Sequence, residues 1–447
     1  MRTLFVLMAL ACNCGGGDDT GEVAWRPDLA CPGDVGCESG DGELQAGASA
    51  VSITPTCFET WEDADGDSEY RASVDSYYDC GCDRLCDGDE GYPGPDDGEE
   101  DGEFQAVWMA GFQSGRPAME VHDDMWARTL ALRQGDTTVA IVSVDLVGYF
   151  HDDVLLSRAL VEAAGTDVDH VMVTSTHQHE GPDTMGMWGR ITGVTGYSEE
   201  YVSQVRAGIA QSVDEAVAAL EPATLTVGAI DTSAAVPDKG TRNIVRDSRD
   251  PVVIDEMLYA ALLEDAQGGT IASLVHWGNH PEVLSDENNA LTSDYAHYIR
   301  EAMENGVVYD SYQREGLGGT SVYVQGMVGG LMTPLGVNVT DGEGVEHSSS
   351  DWEKAEALGN VIAELAMDAI ESGETVTEPD LAVRVSEIFL PVDNVAFQAM
   401  TLMGVFDRAT FNYDTGESLS ETNVPELRSE VDVIDLGPIR MLTVPGE

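Results

Sequence analysis

The chain is 447 residues long and 43% hydrophobic, with 82 acidic against 21 basic side chains and a formal net charge of −61. That length can bury a large core, as one big domain or two ordinary ones. So negative a field repels nucleic acid and anionic membrane surfaces, which argues against a nucleic-acid partner and leaves a haloadapted or a calcium-rich surface as readings of the charge.

Arg2 and the apolar run from Leu4 to Ala11 read as a signal peptide over residues 1–11, since a membrane span needs about 20 apolar residues. The run ends Ala-Leu-Ala-Cys, the pattern of a bacterial lipoprotein signal. Cys12 is therefore the expected lipid acceptor, and the chain is expected to be exported, to the cell envelope through that anchor or as a secreted protein. Residues 12–43, rich in Gly, Asp and Pro, read as a tether. All eight cysteines lie in the first 86 residues. Beyond Cys12 and Cys14 there remain Cys31, Cys37, Cys57, Cys80, Cys82 and Cys86, an even set that reads as disulfides in an oxidising compartment. A zinc cluster around "CGCDRLC" is the rival reading.

The stretch "ELQAGASAVSITP" (43–55) predicts a first strand entering the folded body. Residues 56–103 read as an acidic, cysteine-bearing insertion. Within it Asp63, Asp65, Asp67 and Glu69 alternate as calcium-loop ligands do, but Ser68 stands where such loops carry glycine; a solvated acidic loop is the alternative. From 104 onward strand and helix patterns alternate, which predicts an α/β or layered α+β fold with a large mixed sheet. Residues 128–149 predict two strands around a Gly-Asp turn, and 152–164 and 198–220 predict amphipathic helices. Strands running into loops are predicted at 270–281 and 321–330. A helix over 351–372 is expected to start with Ser350 and Glu353 as a capping box, and 429–447 predicts a hairpin turning at Leu436-Gly437-Pro438. No internal repeat is visible.

Three strand-to-loop junctions carry candidate metal ligands. In "VMVTSTHQHEGPD" (171–183), His177 and His179 follow a β-like run, and in an extended chain residues i and i+2 face the same way. The second junction, "HWGNHPEVL", holds His276 and His280. The third, "LTVPGE", ends at Glu447. Two imidazoles and a carboxylate from separate strand ends suit a catalytic zinc site with one position open to water, although hydrogen-bonded surface histidines would give the same spacing. Asp145 and Asp294, each ending an apolar run, are candidates to orient metal-bound histidines, with turn or cap roles as the alternative.

The order of these motifs resembles the catalytic N-terminal domain of the neutral/alkaline non-lysosomal ceramidase family. The matching pieces are "LQAGASAVSITP", "AGFQSGRPAMEVHDDMWARTLAL", "VAIVSVDLVGY", "VTSTHQHEGP", "HWGNHPEVL" with "LTSDY", "VYVQGMVGGLMTP" and "LTVPGE". The resemblance implies a zinc amidase that cuts the N-acyl bond of ceramide into sphingoid base and fatty acid. It assigns His177, His280 and Glu447 to the zinc and His179 to the developing charge or the leaving amine. His276 is then a core or supporting histidine, and Arg128 a structural ion pair. Two departures stand out. Glu180 replaces the family's serine, bringing a further negative charge to the pocket. The family's downstream tyrosine ligand and immunoglobulin-like domain would follow Glu447, so the sequence is expected to be either a piece of a longer reading frame or a version without the complete set of metal ligands. Two other readings fit the same residues: a zinc hydrolase of another N-acyl lipid or amide, and a non-catalytic calcium-binding surface lipoprotein.

Overall fold

The computed structural model describes residues 27–232, 241–329, 332–406, 408–420 and 422–446, apart from the side chains of Thr241 and Arg242. The signal segment, Cys12, Cys14 and Glu447 lie outside the described residues.

The principal elements in chain order are β1 (Asp28–Cys31), β2 (Gln45–Ser52), β3 (Trp126–Gln134), β4 (Thr137–Val144), α1 (His151–Ala164), β5 (His170–Ser175), α2 (Glu199–Ala218) and β6 (Glu221–Pro222). There follow β7 (Thr224–Asp231), β8 (Met257–Glu264), β9 (Thr270–Trp277), α3 (Tyr295–Asn305), β10 (Thr320–Gln325), α4 (Trp352–Glu371) and β11 (Glu374–Val376). Last come β12 (Leu381–Pro391), α5 (Val395–Leu402), β13 (Glu426–Leu436) and β14 (Ile439–Leu442).

Two five-stranded mixed sheets, in the orders β5-β4-β3-β2-β6 and β10-β9-β8-β7-β11, form the body. They have the same topology. In each, three antiparallel strands lead through a helix to a fourth strand parallel to the third, then through a second helix to a short edge strand antiparallel to the first. The predicted strands and helices are there, but the repeat they compose left no mark in the sequence. What recurs is a pattern of burial rather than residue identity.

Alternation along the strands builds four layers. Leu130, Leu132, Val139 and Ile141 of the first sheet meet Ala261, Leu263, Leu274 and Val322 of the second in one inter-sheet core. The intervening residues point outward. Val142 and Val144 pack under Val161 of α1 and Val205 and Ile209 of α2, while Leu258, Val275 and Trp277 pack under Ile299 of α3 and Leu358 and Ile362 of α4. Both faces of each sheet are thus buried, so the strands are near-continuously apolar. Two conserved-topology contacts use glycine. A Cβ on Gly47 of β2 would lie 2.2 Å from the Ala216 carbonyl of α2, and one on Gly228 of β7 would lie 1.9 Å from the Ala369 carbonyl of α4. The helix ends therefore sit directly on strand backbone.

Two sequence expectations need correction. The part of the assigned 12–43 tether that lies among the described residues is folded: β1 pairs antiparallel with β12, Leu29 and Cys31 are buried, and a Cys31–Cys37 disulfide closes the turn after it. A Gly/Asp/Pro composition reads as linker, but one apolar strand and one disulfide suffice to hold it down. Helix α4 is capped by Asp351, whose side chain accepts from the Lys354 N–H, not by Ser350 with Glu353. The insertion, by contrast, is as acidic and turn-rich as expected, and Cys57–Cys82 and Cys80–Cys86 disulfides staple it. No helix among the described residues is long and apolar enough to cross a membrane.

Candidate active site

Ligands in open α/β sheets gather where parallel strands end, and the parallel pairs β4–β5 and β9–β10 end on the same site. One ring nitrogen each of His177 and His179, after β5, and of His280, after β9, lie within 4.8 Å of one another. Ring centroids are separated by 5.2 Å for His177–His179, 4.9 Å for His177–His280 and 5.4 Å for His179–His280.

The histidines do not converge by strand alternation. Strand β5 stops at Ser175, and His177 takes a left-handed backbone with φ of 63°. That conformation costs a non-glycine residue about 1 kcal/mol or more and is held here by its surroundings. The His177 N–H donates to the Leu146 carbonyl at 3.0 Å, and its Nδ1 lies 2.5 Å from the Val147 carbonyl. His280 is fixed in the same way: its N–H and its Nδ1 both meet the Met332 carbonyl, at 3.2 and 2.5 Å. A carbonyl only accepts, so each ring carries its proton on Nδ1 and its lone pair on Nε2.

His179 is positioned differently. Its ring stands against Gly111, where a Cβ would come within 2.3 Å of the imidazole, and the edge of Phe112 lies 5.1 Å away, centroid to centroid. Gly111 has φ of +100° and no side chain, which makes room for the ring. Nδ1 of His179 lies 3.1 Å from the Glu282 carboxylate. Burial pushes His179 down to about 4, with the neighbouring imidazoles adding to the shift and Glu282 opposing it, so the ring is neutral at pH 7. Glu282, despite its burial, is held below the ordinary glutamate value by His179 and the Thr333 hydroxyl. Its carboxylate is therefore charged.

The three-histidine group suits a soft-to-borderline divalent cation: the Nδ1 atoms of His177 and His280 are engaged by backbone carbonyls, and one nitrogen from each ring lies within the span of one coordination sphere. The donor set fits zinc. Two other acidic groupings fit a cation less well. Asp63, Asp65 and Asp67 approach one another as expected, without Glu69, but Arg71 pairs with Asp65 and Asp67 and the Asp63 carboxylate accepts the N–H groups of Gly66, Asp67 and Ser68. His170, Glu430 and Asp432 also cluster, with Arg158 on Glu430 supplying the positive charge.

Several predicted partners are elsewhere. Asp145 does not orient a histidine: its carboxylate takes Arg300 at 2.7 Å and the Trp126 N–H at 2.8 Å, while its backbone carbonyl accepts from Gln178. Asp294 caps α3, accepting from the Tyr295 and Leu284 N–H groups, and burial pushes it up to about 7. His276 packs on Tyr259, 5.8 Å between centroids, outside the three-histidine group. Arg128 forms the expected ion pair, with Glu304. Glu180 adds no exposed charge to the pocket. It is fully buried 3.4 Å from Arg116 and accepts from Asn288, with burial pushing it up to about 8. Arg116 in turn donates to the carbonyls of His179 and Ala110, holding the loop behind the ring. Glu282, Gly111 and Arg116 were not singled out from the sequence; all three stand in the quoted motif segments, and none has a spacing that marks it.

Residues 98–363, more than half of the chain, match the family model described as neutral/alkaline non-lysosomal ceramidase, N-terminal. The chain is 23% identical over 219 residues to the neutral ceramidase of Pseudomonas aeruginosa, a match covering 46% of this chain and 32% of that protein. Its fold is similar to the crystal structure of neutral ceramidase from Pseudomonas aeruginosa, with a TM-score of 0.58 at 15% identity, covering 90% of this chain and 62% of that one. It is also similar to a ceramidase complexed with C2, with a TM-score of 0.56 at 14% identity, covering 90% of this chain and 63% of the other. The chain thus spans less than two thirds of the relatives it matches. On the extent of the family match, this chain belongs to the neutral/alkaline non-lysosomal ceramidase family.

Proposed function

We propose that the protein is a zinc-dependent amide hydrolase that cleaves N-acyl lipids of the ceramide class into sphingoid base and fatty acid. The observation that carries this reading is the convergence of three imidazoles, two buried and one half-buried, from the ends of two different sheets, two of them with Nδ1 committed to backbone carbonyls. His177 and His280 would hold the metal through Nε2, and Glu447 is retained as a third ligand from the family resemblance. A zinc ion held there supplies Lewis acidity toward the amide carbonyl and toward water.

The chain's own residues do the proton work. His179, neutral at pH 7, can take a proton at Nε2 as water adds to the amide carbon and return it to the nitrogen as the C–N bond breaks. An amide nitrogen is a poor leaving group until protonated, so this transfer is needed. Arg116 and Gly111 keep the His179 loop and ring in place while it occurs. The three disulfides fit an oxidising compartment, in keeping with export and a lipid on Cys12.

The test is zinc per chain by elemental analysis, with turnover of an N-acyl sphingosine, for the wild type and His177→Ala. About one zinc per chain and chelator-sensitive hydrolysis are expected, and His177→Ala should lose both. Full activity in His177→Ala would rule the site out. Zinc without ceramide turnover would move the substrate to another N-acyl lipid or amide. Calcium-dependent folding with no zinc would instead favour a binding protein.

A further inference from the structure

Building on the proposed hydrolase, we propose that Glu282 is a positioning residue that fixes the ring orientation and tautomer of His179, keeping the proton on Nδ1 and the lone pair on Nε2, toward His177 and His280.

His179 and His280 are buried and His177 is half-buried, and the three differ in what stands behind them. His177 and His280 each place Nδ1 on a neutral backbone carbonyl, Val147 and Met332. His179 places Nδ1 3.1 Å from a carboxylate, and both side chains are about nine-tenths buried, at 10% and 11% exposure. The two backbone carbonyls are fixed by the fold, whereas Glu282 is a side chain, so its orienting role can be removed by substitution without disturbing the loop. The arrangement is built rather than incidental. The His179 N–H donates to the Pro281 carbonyl at 3.1 Å, which zips the two loops together one residue from Glu282. The Thr333 hydroxyl holds the carboxylate from the other side. Gly111 and Phe112 close the remaining faces of the ring, so it has little freedom to flip.

The experiment uses Glu282→Ala and Glu282→Gln in the full chain, measuring zinc per chain, melting temperature, kcat and KM on a short-chain N-acyl sphingosine. Glu282→Ala should lower kcat about 10- to 100-fold with KM within about twofold and zinc content unchanged. Glu282→Gln, which still accepts from Nδ1–H, should recover most of the loss. In a His179→Ala background, Glu282→Ala should add less than about twofold, because it acts through that ring. Loss of zinc in Glu282→Ala, a rise in KM alone, or additivity with His179→Ala would overturn the assignment. A second arm needs no activity: in protein labelled with 15N-histidine, the His179 resonance, identified by its loss in His179→Ala, should report the Nδ1–H tautomer in the wild type and lose that preference in Glu282→Ala. If no N-acyl lipid is hydrolysed, the enzymatic reading falls while this arm still judges Glu282. An unchanged tautomer in Glu282→Ala would sink the positioning role by itself.

Discussion

The two five-stranded halves of this protein share a topology strand for strand, yet they supply the site with different loops. The first half contributes His177 and His179 from beyond its fourth strand, β5; the second contributes His280 from beyond its third, β9. The anchoring carbonyls complete the exchange. Val147 follows the third strand of the first half, and Met332 follows the fourth strand of the second. Each half therefore uses both ends of its parallel pair, one for an imidazole and the other for the group that orients it, with the roles swapped. The fold decides where the site is, at the ends of the parallel pairs. The loops decide what it can do.

The strongest way to break this comparison is through the glycines that seat the helices. Gly47 and Gly228 lie on the first strands of their halves, and each faces a carbonyl two residues before its helix ends, Ala216 before Ala218 and Ala369 before Glu371. If the two contacts are equivalent, Gly47→Val and Gly228→Val should each cost about 4 kcal/mol or prevent folding, because neither strand nor helix backbone can yield to a branched side chain. Urea denaturation of the two variants checks this. One tolerated and one not would mean that the halves match in topology but not in packing.

Much of this architecture is legible in the sequence, and the exceptions have identifiable causes. Apolar runs bounded by turns mark β3, β4, β9 and β10, and the histidines at strand ends mark His177 and His280. The repeat itself is invisible because it requires only alternation and a small residue under each helix end, which many sequences satisfy. Asp145 could not be read correctly because its partner, Arg300, is 155 residues away. Glu282 sits two residues after a candidate ligand and looks like any loop glutamate until the β5 loop is folded against it. His177 illustrates a subtler failure: the shared direction of His177 and His179 was inferred from strand geometry, whereas the chain has already left the strand and reaches the site through a left-handed turn.

A finer contrast separates the helices that follow the third strands. Helix α1 begins at Phe150 with no side-chain cap, whereas α3 begins at Asp294, a buried carboxyl that bonds two N–H groups. Burial raises Asp294 to about 7 from the usual 3.8. Between those values the folded protein holds a proton that the unfolded chain has lost, so this group's contribution to stability falls as pH rises from about 4 to 7 and is flat above. Asp294→Asn mimics the neutral form and should escape that decline. Relative to the wild type it should gain about 3 kcal/mol between pH 4.5 and 7.5, read by chemical denaturation at both pH values. A difference that does not change with pH would mean that the two hydrogen bonds to Asp294 outweigh its burial and keep it ionised.

The smallest effect concerns the second helix of each half, where the two are capped alike. Ser198 of α2 accepts from the Tyr201 N–H and Asp351 of α4 from the Lys354 N–H, each satisfying a donor that the first helical turn leaves open. Ser198→Ala and Asp351→Ala should each cost about 1 kcal/mol. Asp351 should lose slightly more, since its charge also faces the positive end of the helix dipole and its bond is the shorter, 3.0 against 3.3 Å. That excess should shrink in molar salt, while the Ser198 value should not move. Equal and salt-independent losses would show that the charge of Asp351 adds nothing beyond the hydrogen bond.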